Sequence, residues 1–232
     1  MESLESELDR ARDLDVADLA DAIESIGFEC TRCGACCTAD AGCDSEAEPG
    51  APDDPHTATV FPDEIRRLQA SGPGDTEYDF RDVARPMPYG LTDGPDGPEG
   101  ETFEWALQTD DCGDCTFYEE TDGTGACTVH EDRPLICRTY PFSVALGGTT
   151  QPMGDAVDEA GMVRAHECEG LGREIDREDA EELAAALKER AVRELEEAIG
   201  VREQYQPVET GAGEVVVHDS EGQKRPDGTH RE

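Results

Sequence analysis

Four cysteines fall within eight residues in the stretch CTRCGACC, positions 30–37. Cys30, Cys33 and Cys36 follow one another at C-x-x-C-x-x-C spacing, at which a tight loop can turn three thiolates toward one centre. Gly34 supplies backbone angles that a Cβ would resist. Cys37 follows Cys36 directly. Adjacent side chains ordinarily point apart, so either the loop bends sharply at 36–37 or the two sulfurs serve different centres. Four thiolates satisfy a tetrahedral zinc ion or an iron–sulfur cluster, so the run points to metal without choosing which.

More thiols lie downstream. Cys115, Cys127 and Cys137 occur in CTFYEETDGTGACTVHEDRPLICRTYPF, and Cys168 follows in HECEGLG. Together with CTRCGACC these runs resemble the CxxCxxCC, or YkgJ-type, cysteine-cluster family, whose pattern also includes an arginine–proline pair and a C-R-x-YPF run. The likeness spans residues 28 to about 170 and is carried by Cys30, Cys33, Gly34, Cys36, Cys37, Cys115, Cys127, Arg133, Pro134, Cys137, Arg138, Tyr140, Pro141, Phe142 and Cys168. VHEDRP departs slightly from the family's IYE-x-RP type of run.

The resemblance implies a zinc- or iron-chelating domain with Cys30, Cys33, Cys36, Cys37, Cys115, Cys127, Cys137 and Cys168 as metal ligands. It fixes no reaction, although a similar cysteine arrangement occurs in flagellin lysine N-methylases. Eight sulfurs permit two sites of four thiolates, or one cluster plus a further site. Arg138, beside a ligand, can offset the negative charge of clustered thiolates as a cofactor-binding group. Pro134 and Pro141 stiffen the loop around Cys137, while Tyr140 and Phe142 either shield the centre or simply pack. Cys112 reads as a spare thiol, Cys43 as a bystander, and His130 and His166 as secondary to the eight cysteines.

The rest of the chain must position these groups with little apolar material. Leu, Ile, Val and Phe make up about 16% of its 232 residues, and 57 acidic against 19 basic side chains leave a formal charge of −38. Such a chain repels itself in dilute buffer. Lys188 and Lys224 are its only lysines, and the acids are spread throughout. That pattern reads as adaptation to a salt-rich cytoplasm, where the screening length falls to ~3 Å at molar salt. A basic nucleic-acid surface is excluded. No stretch approaches a spanning helix and no export segment is visible, so a soluble, cytoplasmic protein with no membrane partner is expected.

Apolar positions from Leu4 to Ile26 predict an amphipathic helix or helix pair ending at Gly27, and Pro62 opens another, stopped by Gly72. Ser71–Gly100 reads as surface loop. TFEWALQT alternates Phe103, Trp105 and Leu107 as one face of a half-buried strand. TFY and ACTVH are short strands joined by TDGTG. Asp176–Ile199 is the clearest helix, capped by Asp176 and ended by Gly200.

The expected fold is α+β: a small irregular cysteine-cluster metal-binding domain with little sheet, flanked by amphipathic helices. Its parts are an N-terminal helical segment (1–27), the cysteine-cluster domain (28–170), a C-terminal helix (171–200) and a mostly flexible acidic tail (201–232). Three functions fit: a zinc, iron or iron–sulfur protein with redox or group-transfer chemistry, a zinc-stabilised interaction module, or a metal carrier.

Overall fold

The computed structural model describes residues 3–39, 55–74, 76–146, 154–157 and 161–231. The N-terminal helical signal resolves into two helices, α1 (Leu4–Asp13) and α2 (Val16–Ile26), each with its own cap. The Ser3 hydroxyl accepts from the Ser6 N–H at 3.2 Å, and the Asp15 carboxylate from the Ala17 N–H at 2.7 Å. Gly27, at φ 75°, closes α2 in a conformation that costs other residues a Cβ clash.

Next come β1 (Thr59–Val60), α3 (Pro62–Ala70), α4 (Phe80–Val83), β2 (Ala84–Pro86), β3 (Leu91–Gly94), β4 (Gly97–Phe103), β5 (Trp105–Leu107), β6 (Tyr118–Thr121) and β7 (Thr124–Cys127). A 3-10 turn at His130–Asp132 leads to α5 (Leu135–Thr139), β8 (Phe142–Val144), β9 (Asp155–Ala156), β10 (Val163–Ala165), α6 (Arg177–Gln204), β11 (Val215–Asp219) and β12 (Gly222–Lys224).

These elements divide into two units, each built from two separated stretches of chain. The first comprises Met1–Cys33 and Leu135–Ile199. Its core gathers Leu8, Leu19 and Ile23 from the N-terminal helices, Phe142 and Val163 from an antiparallel sheet in the order β8-β10-β9, and Leu187 and Leu195 from α6. Ala180, Ala184 and Ala191 complete the buried stripe of α6, so small side chains fill positions where a richer sequence would place leucine. Arg190 ties this helix to α5 by donating to the Thr139 hydroxyl at 3.0 Å, and pairs with Glu194 at 2.6 Å.

The second unit comprises Gly34–Pro134 and Gly200–Glu232. One sheet has the order β1-β5-β2; another runs β12-β11-β4-β3, with β11 parallel to β4; β6 and β7 form a hairpin. Trp105, 1% exposed, donates its indole N–H to the Asp219 carboxylate at 2.9 Å. Lys224 lies 3.2 Å from that carboxylate and 2.6 Å from Glu221. Burying an unpaired ammonium would be costly, and these two acids answer it.

The class is α+β, but the expectation of little sheet is overturned: the described residues hold twelve strands in four sheets. Most strands are only two to five residues long, and their turn-rich composition reads as loop. GPDGPEG is the clearest case. Gly94 pairs with Gly97 and Asp93 with Pro98 in the β3–β4 hairpin, so Ser71–Gly100 is not simply surface loop. TFEWALQT is broken rather than continuous. Glu104 sits at φ 64°, Trp105, Ala106 and Leu107 are all buried, and Phe103 is exposed.

The segment expected to be a mostly flexible tail also differs. Val216 and Val217 are buried in β11, paired with Glu101 and Thr102 of β4. Gly200 does not end α6, which runs on to Gln204. A Cβ there would lie 2.5 Å from that of Ser220, so this glycine permits a close approach.

Removal of residues 206–232 is therefore expected to abolish the cooperative unfolding of the second unit in molar salt. Val217→Asp, which buries a carboxylate at a fully enclosed position, should cost ~3 kcal/mol in denaturant titrations. Unchanged transitions in both variants would show that β11 contributes nothing.

Candidate metal centre

The division between the units runs through the cysteine loop itself. Cys30 and Cys33 belong to the first unit with Cys137 and Cys168, whereas Cys36 and Cys37 belong to the second with Cys115 and Cys127. All eight stand as thiols outside any disulfide. Cys112 is disulfide-bonded, so it is not the spare thiol expected from its spacing. Cys43 lies outside the described residues.

In the second unit the backbone after Gly34 makes a tight turn, with the Cys37 N–H donating to the Gly34 carbonyl at 2.7 Å. The sharp bend at 36–37 is thus the alternative the chain adopts, and it brings the Cys36 and Cys37 sulfurs to 3.8 Å. Gly34 is required twice over. Its φ is 83°, and a Cβ there would sit 2.2 Å from the Tyr118 hydroxyl.

The loop is then pinned to the Cys115 segment. The Cys115 N–H donates to the Cys37 carbonyl at 2.8 Å, and the Asp114 carboxylate accepts from the Ala39 N–H at 2.8 Å. Asp110 holds the same segment by accepting from the N–H groups of Cys112 and Asp114 at 2.8 and 3.0 Å. Cys127, at the end of β7, acts electrostatically on both Cys36 and Cys115.

Three thiols of this unit differ in proton affinity. A hydrogen bond from Cys37 lowers the pKa of Cys36 to about 7, with help from a backbone N–H and the Arg133 charge. Burial pushes Cys115 up to about 11 and raises Cys127 as well. One sulfur is therefore poised as thiolate while Cys115 and Cys127 hold their protons more tightly.

In the first unit, Phe28 bridges Leu171, and the Glu29 N–H donates to the Gly170 carbonyl at 3.1 Å, laying the strand that leads into Cys30 along the turn after Cys168. Gly170 permits this approach, since a Cβ there would lie 2.4 Å from the Glu29 carbonyl oxygen. Its own N–H donates to the Cys168 sulfur at 3.4 Å. Tyr140 reaches from the end of α5, which carries Cys137, to the Glu167 carbonyl at 3.0 Å, and its ring meets His166 edge-on. Cys30 and Cys33 face solvent.

Other expected site residues fall in place as follows. Arg138 is exposed on α5, while Arg133 is the arginine whose charge acts on Cys36 and Cys127. Phe142 packs in the core, edge-on to Phe28 at 5.7 Å. His130 is exposed at 3.5 Å from Glu131. Among the described residues, no group of three or more His, Cys, Asp or Glu side chains is already arranged to hold a metal ion. The donor chemistry nevertheless fits. Sulfurs at the corners of a tetrahedron with metal–sulfur bonds of ~2.3 Å stand about 3.8 Å apart, which is the Cys36–Cys37 separation.

Comparison with known families matches residues 29–169 to the CxxCxxCC family, described as a zinc- or iron-chelating domain. The chain belongs to this family. No curated protein and no solved structure gives a significant match. The CxxCxxCC match covers every one of the eight thiols and both units' contributions to them, which supports metal binding and leaves the reaction open. No described helix is long and apolar enough to cross a membrane.

In the reduced, metal-free CxxCxxCC protein at pH 7, Cys36 should be alkylated by iodoacetamide on the order of a hundredfold faster than Cys115. The thiolate fractions set by pKa values of about 7 and about 11 differ by more than this, and the greater nucleophilicity of the more basic thiolate offsets part of the gap. Mass spectrometry of timed digests reads the order, and equal rates would contradict the burial of Cys115.

Gly34→Ala should lower the metal content of the purified protein, because the new Cβ meets both a left-handed backbone and the Tyr118 hydroxyl. Elemental analysis equal to that of the parent protein would show that the turn tolerates the change.

Proposed function

We propose that this CxxCxxCC protein coordinates zinc or iron through two sets of four thiolates, Cys36, Cys37, Cys115 and Cys127 in one and Cys30, Cys33, Cys137 and Cys168 in the other. Its role is to take up and release the metal. The observation that carries the reading is the 3.8 Å separation of the Cys36 and Cys37 sulfurs, which suits two ligands of one tetrahedral ion. In a cubane cluster each thiolate points outward from a different iron, which sets ligand sulfurs farther apart.

Cys30, Cys33 and Cys36 are exposed, so a competing ligand can reach the metal they would hold, which favours exchange over a purely structural ion. Arg133 supplies positive charge beside the set that includes Cys36 and Cys127, where four thiolates on a divalent ion would leave a net negative charge. The composition suits a salt-rich cytoplasm, and the acids are read as solvation rather than as ligands.

Anaerobic purification in molar salt, elemental analysis and a visible spectrum test the proposal. Two zinc or iron ions per chain are expected, falling to one in Cys115→Ser, and a competing chelator should remove metal while the circular dichroism of the fold persists. Acid-labile sulfide with a brown colour would replace the reading with an iron–sulfur protein. Metal that cannot be removed without unfolding would replace the carrier with a structural role.

A further inference from the structure

The turn that sets Cys36 beside Cys37 has a capability distinct from chelation. The two sulfurs stand 3.8 Å apart, within reach of one another, and because neighbouring Cα atoms lie only ~3.8 Å apart, below the ~4.4–6.8 Å usual for a disulfide, the bond they would form is strained and easily reduced. Cys36 is exposed and Cys37 half-buried, so within this pair a small oxidant meets Cys36 first. Cys115, 7% exposed, is shielded from the same reagent. Arg133 places a positive charge beside Cys36, where an oxidised sulfur anion and a departing oxyanion would both be stabilised.

We propose that Cys36 is a site of oxidation by hydroperoxides and that Cys37 is its resolving thiol. The Cys36 sulfur attacks the peroxide oxygen, the O–O bond breaks, and the leaving oxygen departs as alcohol or water after taking a proton. Cys36 becomes a sulfenic acid. Cys37 then attacks that sulfur, the S–O bond breaks, and water leaves. Overall, two thiols and one hydroperoxide give one disulfide, one alcohol or water, and one further water. The peroxide is reduced by the two electrons that the thiols lose.

The consequence for metal rests on the reading above. A Cys36–Cys37 disulfide removes two of four donors from the set in the second unit and none from the set in the first. Peroxide should therefore empty one set and leave the other loaded, and a dithiol reductant should restore it.

The test uses the full chain in molar salt, reduced and then loaded with zinc, treated with one equivalent of hydrogen peroxide. Digestion with fragmentation mass spectrometry should find the loss of two hydrogens between Cys36 and Cys37, a chromophoric chelator should report release of half the bound zinc, and dithiothreitol should reverse both. Cys37→Ser should instead accumulate a dimedone-reactive sulfenic acid at Cys36. The metal-free protein is oxidised in parallel. If no zinc binds but the Cys36–Cys37 disulfide still forms there, the chelation reading fails and this one stands. If zinc binds and peroxide pairs Cys36 with another cysteine, or oxidises other thiols first, the assignment of this pair is overturned.

Discussion

Scarcity of apolar side chains against a charge of −38 is the constraint to which the rest of this structure answers. A chain with so little to bury cannot rely on one large core, because ordering each residue costs on the order of 1–2 kcal/mol of backbone entropy. It builds two small ones and spends its few cations internally. Lys188 donates to the Leu14 carbonyl at 2.6 Å, and Lys224 is held between Asp219 and Glu221, so both lysines of the chain act within the fold. Arg177 gathers Asp21, Glu24 and Glu181, and Arg12 meets Glu196. Exposed pairs of this kind contribute little singly. Set among so many carboxylates, they also lower the local repulsion that would open the surface.

The same economy shapes the thiol sites. Backbone hydrogen bonds bring the CTRCGACC loop to the Cys115 segment and, together with Phe28 and Leu171 packed against the core, bring residues 28–29 to the turn after Cys168. Glycine makes both approaches possible, at Gly34 against Tyr118 and at Gly170 against Glu29. A cysteine-cluster domain of this kind uses positions without side chains to let chain segments meet, then lets sulfur supply the chemistry.

The thiols, their family and the long helices were legible in the sequence, since spacing, caps and 3.6-residue periodicity are local signals. Asp176 caps the helix it begins, and the TDGTG hairpin forms between β6 and β7. The sheets were not. Strands such as Thr59–Val60 are too short to carry an alternating pattern, and β11 draws its pairing from β4, more than a hundred residues away. Asp110 and Asp114 could not be told from the acidic background, because their importance lies in which N–H groups they face. Arg133 was part of the recognised pattern, yet only folding shows that it, not exposed Arg138, acts on the thiols of the second unit.

The interleaving of the two units sets an order of events during synthesis. Residues 1–33 wait for 135–199, and residues 34–134 wait for the segment after Gly200 that supplies β11. Neither unit is a contiguous stretch: the first can close only once residue 199 is made and the second only after the segment beyond Gly200, so the nascent chain carries many long-range contacts unmade until late in synthesis. Seven of the eight thiols are already synthesised when Cys168 appears. During translation they are exposed to stray metal and oxidant before the last elements of the fold are in place. For such a chain, the reducing power of its surroundings matters most on the ribosome.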